Sequence, residues 1–264
     1  MDLDVLTSPI PDVEQYLVRA IELKTVSVVY QSQNALPSSQ LVGVEALCRI
    51  GSSPIADVTP EEFIPVAEHT GLIVPLERLV LSQVAKDLPL LIRHHPNIRV
   101  GVNLSIRHIT APDFLPFIHG WLNALPATTV EHLDFEITET YFLHISQTVI
   151  DGLQTLRQKG VRIVMDDFGS GQSSLSRLHT LPFDVIKLDK QFAQQIDHPM
   201  VYAIIKAAIA FADEFGIELI AEGVETAEQC HALQAINCRL VQGFFFSHPQ
   251  PLAHWLSQPI AHAT

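Results

Sequence analysis

The sequence predicts an α/β protein folded as a (β/α)8 barrel, and three observations carry that expectation. About eight apolar runs of strand length alternate with helical patterns over about 250 residues, the order a closed barrel requires. The chain has 264 residues, 47% of them hydrophobic and 17% charged, ample for one large core. Nearly every apolar run finishes on or beside a polar residue, and in a parallel barrel those ends converge on the C-terminal face. A doubly wound open sheet is the alternative with the same alternation. No linker, low-complexity segment or internal repeat divides the chain, so residues 1–264 read as a single domain.

The elements follow in order. Pro11 to Leu23 predicts an opening helix. Val26 to Gln31, rich in β-branched residues, predicts a strand, and Asn34 to Gln40, with Pro37-Ser-Ser, a turn. Leu41 to Glu45 predicts the next strand, which makes the first pairing a candidate antiparallel hairpin. Thr59-Pro-Glu-Glu62 combines a cap, a proline at the first helical position and a glutamate three residues after the cap, so a helix starts there and ends at Gly71. Pro75 to Leu88 is the next helical pattern. Pro89 should break or kink it, with helix resuming to His94. Strand Arg99 to Leu104, helix Pro112 to Leu125, strand Leu133 to Ile137 and helix Ile145 to Lys159 come next, the last with Val149, Leu153 and Leu156 apolar and Gly160 as its stop. Strand Val161 to Met165, a short helix from Ser173 and strand Asp184 to Leu188 precede helix Val201 to Phe215. That helix places Val201, Ile204, Ile205, Ala208, Phe211, Ala212 and Phe215 on one face. Strand Ile217 to Ala221, a helix opened by the capping box Thr226-Ala-Glu-Gln229, strand Arg239 to Gln242 and helix Leu252 to Ser257 complete the series.

Totals narrow the function. A net charge of −13 argues against a duplex nucleic-acid binder, which needs a basic footprint, but leaves room for a small phosphorylated ligand held through cations. Three cysteines, Cys48, Cys230 and Cys238, give neither a disulfide framework nor a Cys-rich zinc site, which points to a reducing cytoplasm. Met1-Asp-Leu-Asp lacks the basic and apolar regions of a signal peptide. No apolar run reaches about 18 residues, so no membrane span is expected.

The strand-end residues are Gln31, Glu45, Asn103, Glu136, Asp166, Lys187, Glu222 and Gln242. The fifth of them opens the densest stretch: strand Val161 to Met165 stops at Asp166 and Asp167, followed by a Gly-Ser-Gly turn and Ser173-Ser174. Adjacent anions repel each other unless water, a cation or a proton compensates. Hard oxygen donors suit Mg²⁺, Mn²⁺ or Ca²⁺ rather than zinc, and none of the 13 histidines stands in a ligand spacing beside these strands. Two cations bridged by one carboxylate polarise a phosphoryl oxygen and lower the pKa of a water. Asp166 is the natural bridge, Lys187 a group that orients water or neutralises charge, and Glu222 a proton acceptor. Two carboxylates in a barrel also suggest glycoside hydrolysis. That reading leaves Asn103, Asp167 and Lys187 without roles, and two tryptophans are few for sugar platforms.

These residues resemble a known family. Val44-Glu-Ala-Leu-Cys-Arg49 is similar to the Glu-Ala-Leu signature of EAL-domain cyclic di-GMP phosphodiesterases. Glu62 to Ile73, Val102-Asn-Leu-Ser105, Phe135-Glu-Ile-Thr-Glu139, Asp166-Asp-Phe-Gly-Ser-Gly171, Lys187-Leu-Asp189, Ala221-Glu-Gly-Val-Glu-Thr226 and Gln242-Gly-Phe-Phe-Phe-Ser247 resemble its other motifs, in order, over about Val26 to Leu252. The resemblance implies a TIM-like barrel with one antiparallel strand. It also implies hydrolysis of the bacterial messenger cyclic di-GMP to linear pGpG with two Mg²⁺ or Mn²⁺ ions per site, Ca²⁺ acting as an inhibitor. Carried over by position, Glu45, Asn103, Glu136 and Asp166 bind the first metal, and Asp166 and Asp167 the second. Lys187 and Glu222 handle the attacking water, with Glu222 the general base and a further metal contact, and Glu45 belongs with them to the catalytic set. Glu225 and Gln242 complete the water and metal shell. Gln31, Leu47, Arg49 and Gln242 contact substrate, and Glu139 anchors the loop from Asp167 to Ser174, which links the metal site to a homodimer interface. Such domains often form part of larger sensory proteins.

Several positions depart from the pattern: Ser32 for proline, Ile50 for tryptophan, Ser170 for threonine, Gln172 for tyrosine, Arg239 for aspartate, Phe244 for tyrosine and His248 for arginine. None is a metal ligand or the catalytic lysine and glutamate. They bear on guanine packing, affinity and loop regulation. The competing function is a catalytically silent cyclic di-GMP receptor or protein-interaction module on the same fold. Such members usually lose the signature glutamate or the aspartate pair, and this chain keeps both.

Overall fold

The structure is a computed structural model that describes residues 13–51, 58–142, 146–170 and 181–258, and the backbone only of Phe142. The expected helix from Ser173, with Gln172 and Ser174, lies outside the described residues. So do Pro11 and Ile145, at the starts of two expected helices.

The barrel is closed. β1 (Val26–Ala35) pairs antiparallel with β2 (Gln40–Ile50). From β2 the sheet continues in parallel through β3 (Arg99–Asn103), β4 (Leu133–Thr138), β5 (Arg162–Phe168), β6 (Val185–Leu188), β7 (Glu218–Ala221) and β8 (Leu240–Gln242). β8 then pairs antiparallel with β1, and the two-residue β9 (Gln250–Pro251) lies along β1's start. The eight barrel strands therefore include one antiparallel member, as the sequence led us to expect. Both early strands run longer than expected, because β1 is hydrogen-bonded to β2, β8 and β9. Gln33, beyond the expected strand end, and Asn34, expected to open the turn, are buried strand residues.

Helices pack outside the sheet. α1 (Val13–Glu22), α2 (Pro60–Thr70) and α3 (Ile73–His94) precede β3. α4 (Ile106–Ile109), α5 (Phe114–Ala124) and a 3-10 turn (Ala127–His132) precede β4, and α6 (Glu139–Phe142) and α7 (Gln147–Gln158) precede β5. α8 (Lys190–Gln194) and α9 (Pro199–Phe215) link β6 to β7, α10 (Ala227–Ala235) links β7 to β8, and α11 (Leu252–Ser257) follows β9. The α2 capping box forms, with Glu62 accepting the Thr59 N–H at 2.8 Å. Pro89 does not break α3. Leu81, Val84, Leu88 and Leu91 are wholly buried on both sides of it, and that packing outweighs a proline penalty of about 3 kcal/mol. In α9 the buried residues are Ile205, Ile209 and Ala212, while Ile204 and Phe215 stand exposed. The expected face is therefore rotated, because the helix is apolar nearly all round and periodicity alone cannot choose a side.

Period-two alternation places the barrel's contents. Val164, Val185, Ile220 and Leu240 pack together. Each stands two residues before Asp166, Lys187, Glu222 and Gln242, hence on the same inward face. The lower barrel is thus an apolar plug, and the layer above it is polar. At the opposite end, Asp134 accepts from Arg99 and Arg162, and Arg157 pairs with Asp184. These pairs close the N-terminal rim.

Candidate active site at the barrel mouth

Lys187 is the centre of the polar layer. Its Nζ lies 2.7 Å from Glu136, 2.8 Å from Glu222, 3.1 Å from Glu45 and 3.3 Å from Asp166. The ammonium is fully buried. Burial alone would lower its pKa, but the surrounding Asp166, Glu136, Glu222 and Glu45 raise it well above the ordinary lysine value. Glu45 is further held by Asn103 Nδ2 at 2.8 Å and Gln242 Nε2 at 2.6 Å. Burial raises Glu45, yet Lys187, Asn103 and Gln242 together keep its carboxyl below the ordinary range. Glu136 sits deeper, and burial, reinforced by Glu45 and Asp166 against the pull of Lys187, raises it well above that range. Space for Glu136 comes from Gly101 on the neighbouring strand, where any Cβ would overlap the carboxylate.

Asp166 and Asp167 are consecutive, so in a regular strand they would face opposite sides. The β5–β6 register slips between Met165 and Phe168, and Asp167 adopts φ +55°. Aspartate tolerates this left-handed region better than most residues. The bulge turns both carboxylates toward one place: oxygens of Asp166, Asp167 and Glu222 all lie within 4.8 Å of one another. Re-aiming of this kind is a common use of bulges beside active sites. Asp166 also accepts the Asp167 N–H at 2.9 Å. Burial, then Asp166 and Asp189, push Asp167 to about 6. Burial, with Asp166 and Glu45 adding against Lys187, pushes Glu222 to about 8. The donor set is oxygen-rich and acidic beyond what one lysine neutralises, which fits hard divalent cations.

These raised values carry a stability consequence. A carboxyl whose folded pKa exceeds its unfolded one stabilises the protein at low pH, and that contribution is lost as pH rises through the folded value. Metal-free protein is therefore expected to lose stability between about pH 4 and pH 8, the range from the ordinary carboxyl values to the folded ones of Asp167 and Glu222, and Glu222→Gln should lose less. Melting curves in chelator would check this, and equal slopes for the two proteins would count against it.

Other sequence-predicted residues fall around this centre. Gln242 donates to Gln31 Oε1 at 3.4 Å, and Gln31 donates to the Ser247 carbonyl at 3.2 Å. Gln33, which the sequence reading missed, donates to Gln242 Oε1 at 3.1 Å. Its signal was alternation with Gln31, visible once β1 extends to Ala35. Glu139, buried beneath the bulge, accepts the Gly169 N–H at 2.7 Å. Leu47 and Arg49 line a cavity of about 240 Å³ beside Asn103 and Glu136, walled by Ile64, Leu76 and Tyr141. The Arg49 guanidinium turns to the Cys48 carbonyl at 2.8 Å. Glu225 stands apart from the carboxylate cluster and receives Gln194 Nε2 at 3.4 Å.

A closed barrel with one antiparallel strand and an acidic, oxygen-donor mouth defines a TIM-like barrel whose mouth suits hard divalent cations. More narrowly, the chain belongs to the EAL domain family, whose model matches residues 14–249. It is 34% identical over 91% of its length to the oxygen sensor protein DosP of Escherichia coli, covering 31% of that protein. It is 33% identical over 91% of its length to the cyclic di-GMP phosphodiesterase RocR of Pseudomonas aeruginosa, covering 61%. A solved structure of the PaMucR phosphodiesterase in complex with cyclic di-GMP superposes with a TM-score of 0.84 at 31% identity, over 92% of this chain and 98% of that one. The chain spans about a third of the length of the first curated relatives it matches. Among the described residues no helix is long and apolar enough to cross a membrane.

Proposed function

We propose that this chain hydrolyses cyclic di-GMP to linear pGpG, as a single EAL-type domain acting in the bacterial cytoplasm. The observation that carries the reading is the bulge at Asp166-Asp167, which gathers two consecutive carboxylates with Glu222 around one point. Glu45, Asn103, Glu136 and Asp166 would hold one Mg²⁺ or Mn²⁺ ion, and Asp166, Asp167 and Glu222 the second. Those ions supply charge that polarises the phosphoryl oxygen and lowers the pKa of water.

The chain's own residues do the rest. Glu222 takes a proton from the attacking water as its oxygen bonds to phosphorus. The bond from phosphorus to the 3′ oxygen breaks, that oxygen takes a proton from solvent water to leave as a hydroxyl, and Glu222 returns its own proton to solvent. Lys187 holds Glu222 in place and offsets the charge gathering at phosphorus. Gln31, Gln242, Leu47 and Arg49 contact the nucleotide, Arg49 by swinging from the Cys48 carbonyl to a phosphate. Glu139 keeps the bulge in shape through Gly169, and Glu225 orders outer water. A homodimer belongs to the same reading. Its support is the exposed apolar row Met200, Ile204 and Phe215 on α9.

Incubation of purified protein with cyclic di-GMP and Mg²⁺ or Mn²⁺ should yield pGpG. Ca²⁺ should bind and support little turnover, since its loose coordination places water poorly. Binding without turnover in both metals, by protein that light scattering shows to be dimeric, would instead make it a receptor. Efficient turnover by a monomer would remove the dimer from the reading.

A further inference from the structure

Another buried carboxylate stands outside the cluster around Lys187, on the wall of the cavity that Arg49 and Asn103 line. Glu77, on α3, is 7% exposed, and its partner His108, on α4, is 0% exposed. His108 Nδ1 lies 2.8 Å from Glu77 Oε2. Its Nε2 faces Arg78 Nε at 3.4 Å. An arginine N–H can only donate, so Nε2 accepts, and the ring proton sits on Nδ1, pointing at Glu77. Arg78 is itself placed by Asp113 at 2.8 Å and by the Phe117 ring, 4.4 Å from the guanidinium carbon. Glu77's other oxygen, Oε1, accepts the backbone N–H of Ser105 at 2.7 Å.

The Ser105 amide is the first beyond the end of the β3 ladder. Leu104 N–H still bonds to the Glu136 carbonyl at 2.9 Å, and Ser105 Oγ caps α4 through His108 N–H. Asn103 sits two residues before Ser105, at the very end of β3, with an exposed side chain held by one contact to Glu45. Its direction into the mouth therefore depends on the backbone that Glu77 grips. An apolar pair of similar volume would serve packing at least as well as a buried carboxylate and imidazole. What the carboxylate held by the imidazole adds is a fixed acceptor for that amide.

We propose that Glu77 is a positioning residue for Asn103, acting through the Ser105 amide, with His108 locking Glu77 in place. The inference rests on the reading of Asn103 as a metal ligand, and outer partners of ligands typically change metal affinity by about 10–100-fold.

The test is calorimetric titration of metal-free full-length protein with Mn²⁺. Glu77→Leu should weaken binding by about 10–100-fold, whereas Glu77→Gln, which keeps an oxygen for Ser105 but sets an amide NH₂ against the His108 Nδ1–H, should weaken it distinctly less. Ser105→Pro gives an independent cut. Ser105 has φ −73° and extended ψ, so proline fits the backbone and removes only the N–H that Glu77 holds, along with the hydroxyl cap. It should weaken Mn²⁺ as Glu77→Leu does. Mn²⁺ affinity within about threefold of wild type in folded Glu77→Leu, or in Ser105→Pro should the leucine variant not fold, overturns the inference. Asn103→Ala is titrated alongside. If it weakens Mn²⁺ and Glu77→Leu does not, only the positioning role fails. If Asn103→Ala binds Mn²⁺ normally, the ligand reading fails and takes the inference with it.

Discussion

Glu222→Ala is expected to lower kcat for cyclic di-GMP by about 10²–10⁴-fold, the usual contribution of a positioned general base, while nucleotide binding stays measurable. Glu222 follows the last residue of β7 and keeps 17% of its side chain exposed, unlike Glu136 at 1%. It is therefore the most exposed of the four carboxylates around Lys187. Its pKa near 8 makes it a competent proton acceptor once cations join Lys187 and lower it toward neutrality. Its oxygens also fall within 4.8 Å of those of Asp166 and Asp167, so a second role as ligand is open to it. The two roles separate by measurement. Loss of kcat with Mn²⁺ affinity near wild type assigns the base, and parallel loss of both assigns the ligand. Near-normal kcat would remove Glu222 from the chemistry altogether.

Much of this site was legible because a barrel contributes roughly one inward polar residue per strand end. Glu45, Asn103, Glu136, Asp166, Lys187, Glu222 and Gln242 each closed or followed an apolar run. The illegible parts are those that tertiary pairing decides. Gln33 falls between the expected strand and the expected turn until β1 is seen to bond on two sides. The gap that Gly101 leaves for Glu136 depends on which strand lies beside β4. Glu77 reads as one more solvated helix charge, because its partner His108 is 31 residues away and the short α4 has no periodic signature. The bulge was hidden for a different reason. Two adjacent aspartates before a Gly-Ser-Gly turn suggest a solvated end, and only the positive φ at Asp167 turns both carboxylates inward. In α9 the sequence offered apolar residues on every side, so the choice of buried face passed to the packing of Ile205 and Ile209 against β7 and its neighbours.

Lys187→Met is expected to have the largest effect on the fold itself. The substitution nearly conserves volume but leaves Glu45, Glu136, Asp166 and Glu222 facing one another with no cation among them. Removing one partner of a buried ion pair typically costs about 3–5 kcal/mol, and for a domain of this size that lowers Tm by roughly 6–20 °C. Part of the loss is relieved by protonation. The orphaned carboxylates rise in pKa, so the deficit should be greater at pH 8.5 than at pH 5. A divalent cation offers a second relief, because it restores positive charge to the same cluster. Mn²⁺ should therefore raise the Tm of Lys187→Met by more than it raises that of the wild type, by mass action on the folded state. Turnover should nonetheless stay low at saturating Mn²⁺, since the ammonium that holds Glu222 is gone. Melting curves of both proteins with and without Mn²⁺ decide the matter. An unchanged Tm without metal would mean that the four carboxylates share protons already and that Lys187 is not what holds them together. Equal metal shifts in the two proteins would mean that the cations bind away from the lysine's neighbours.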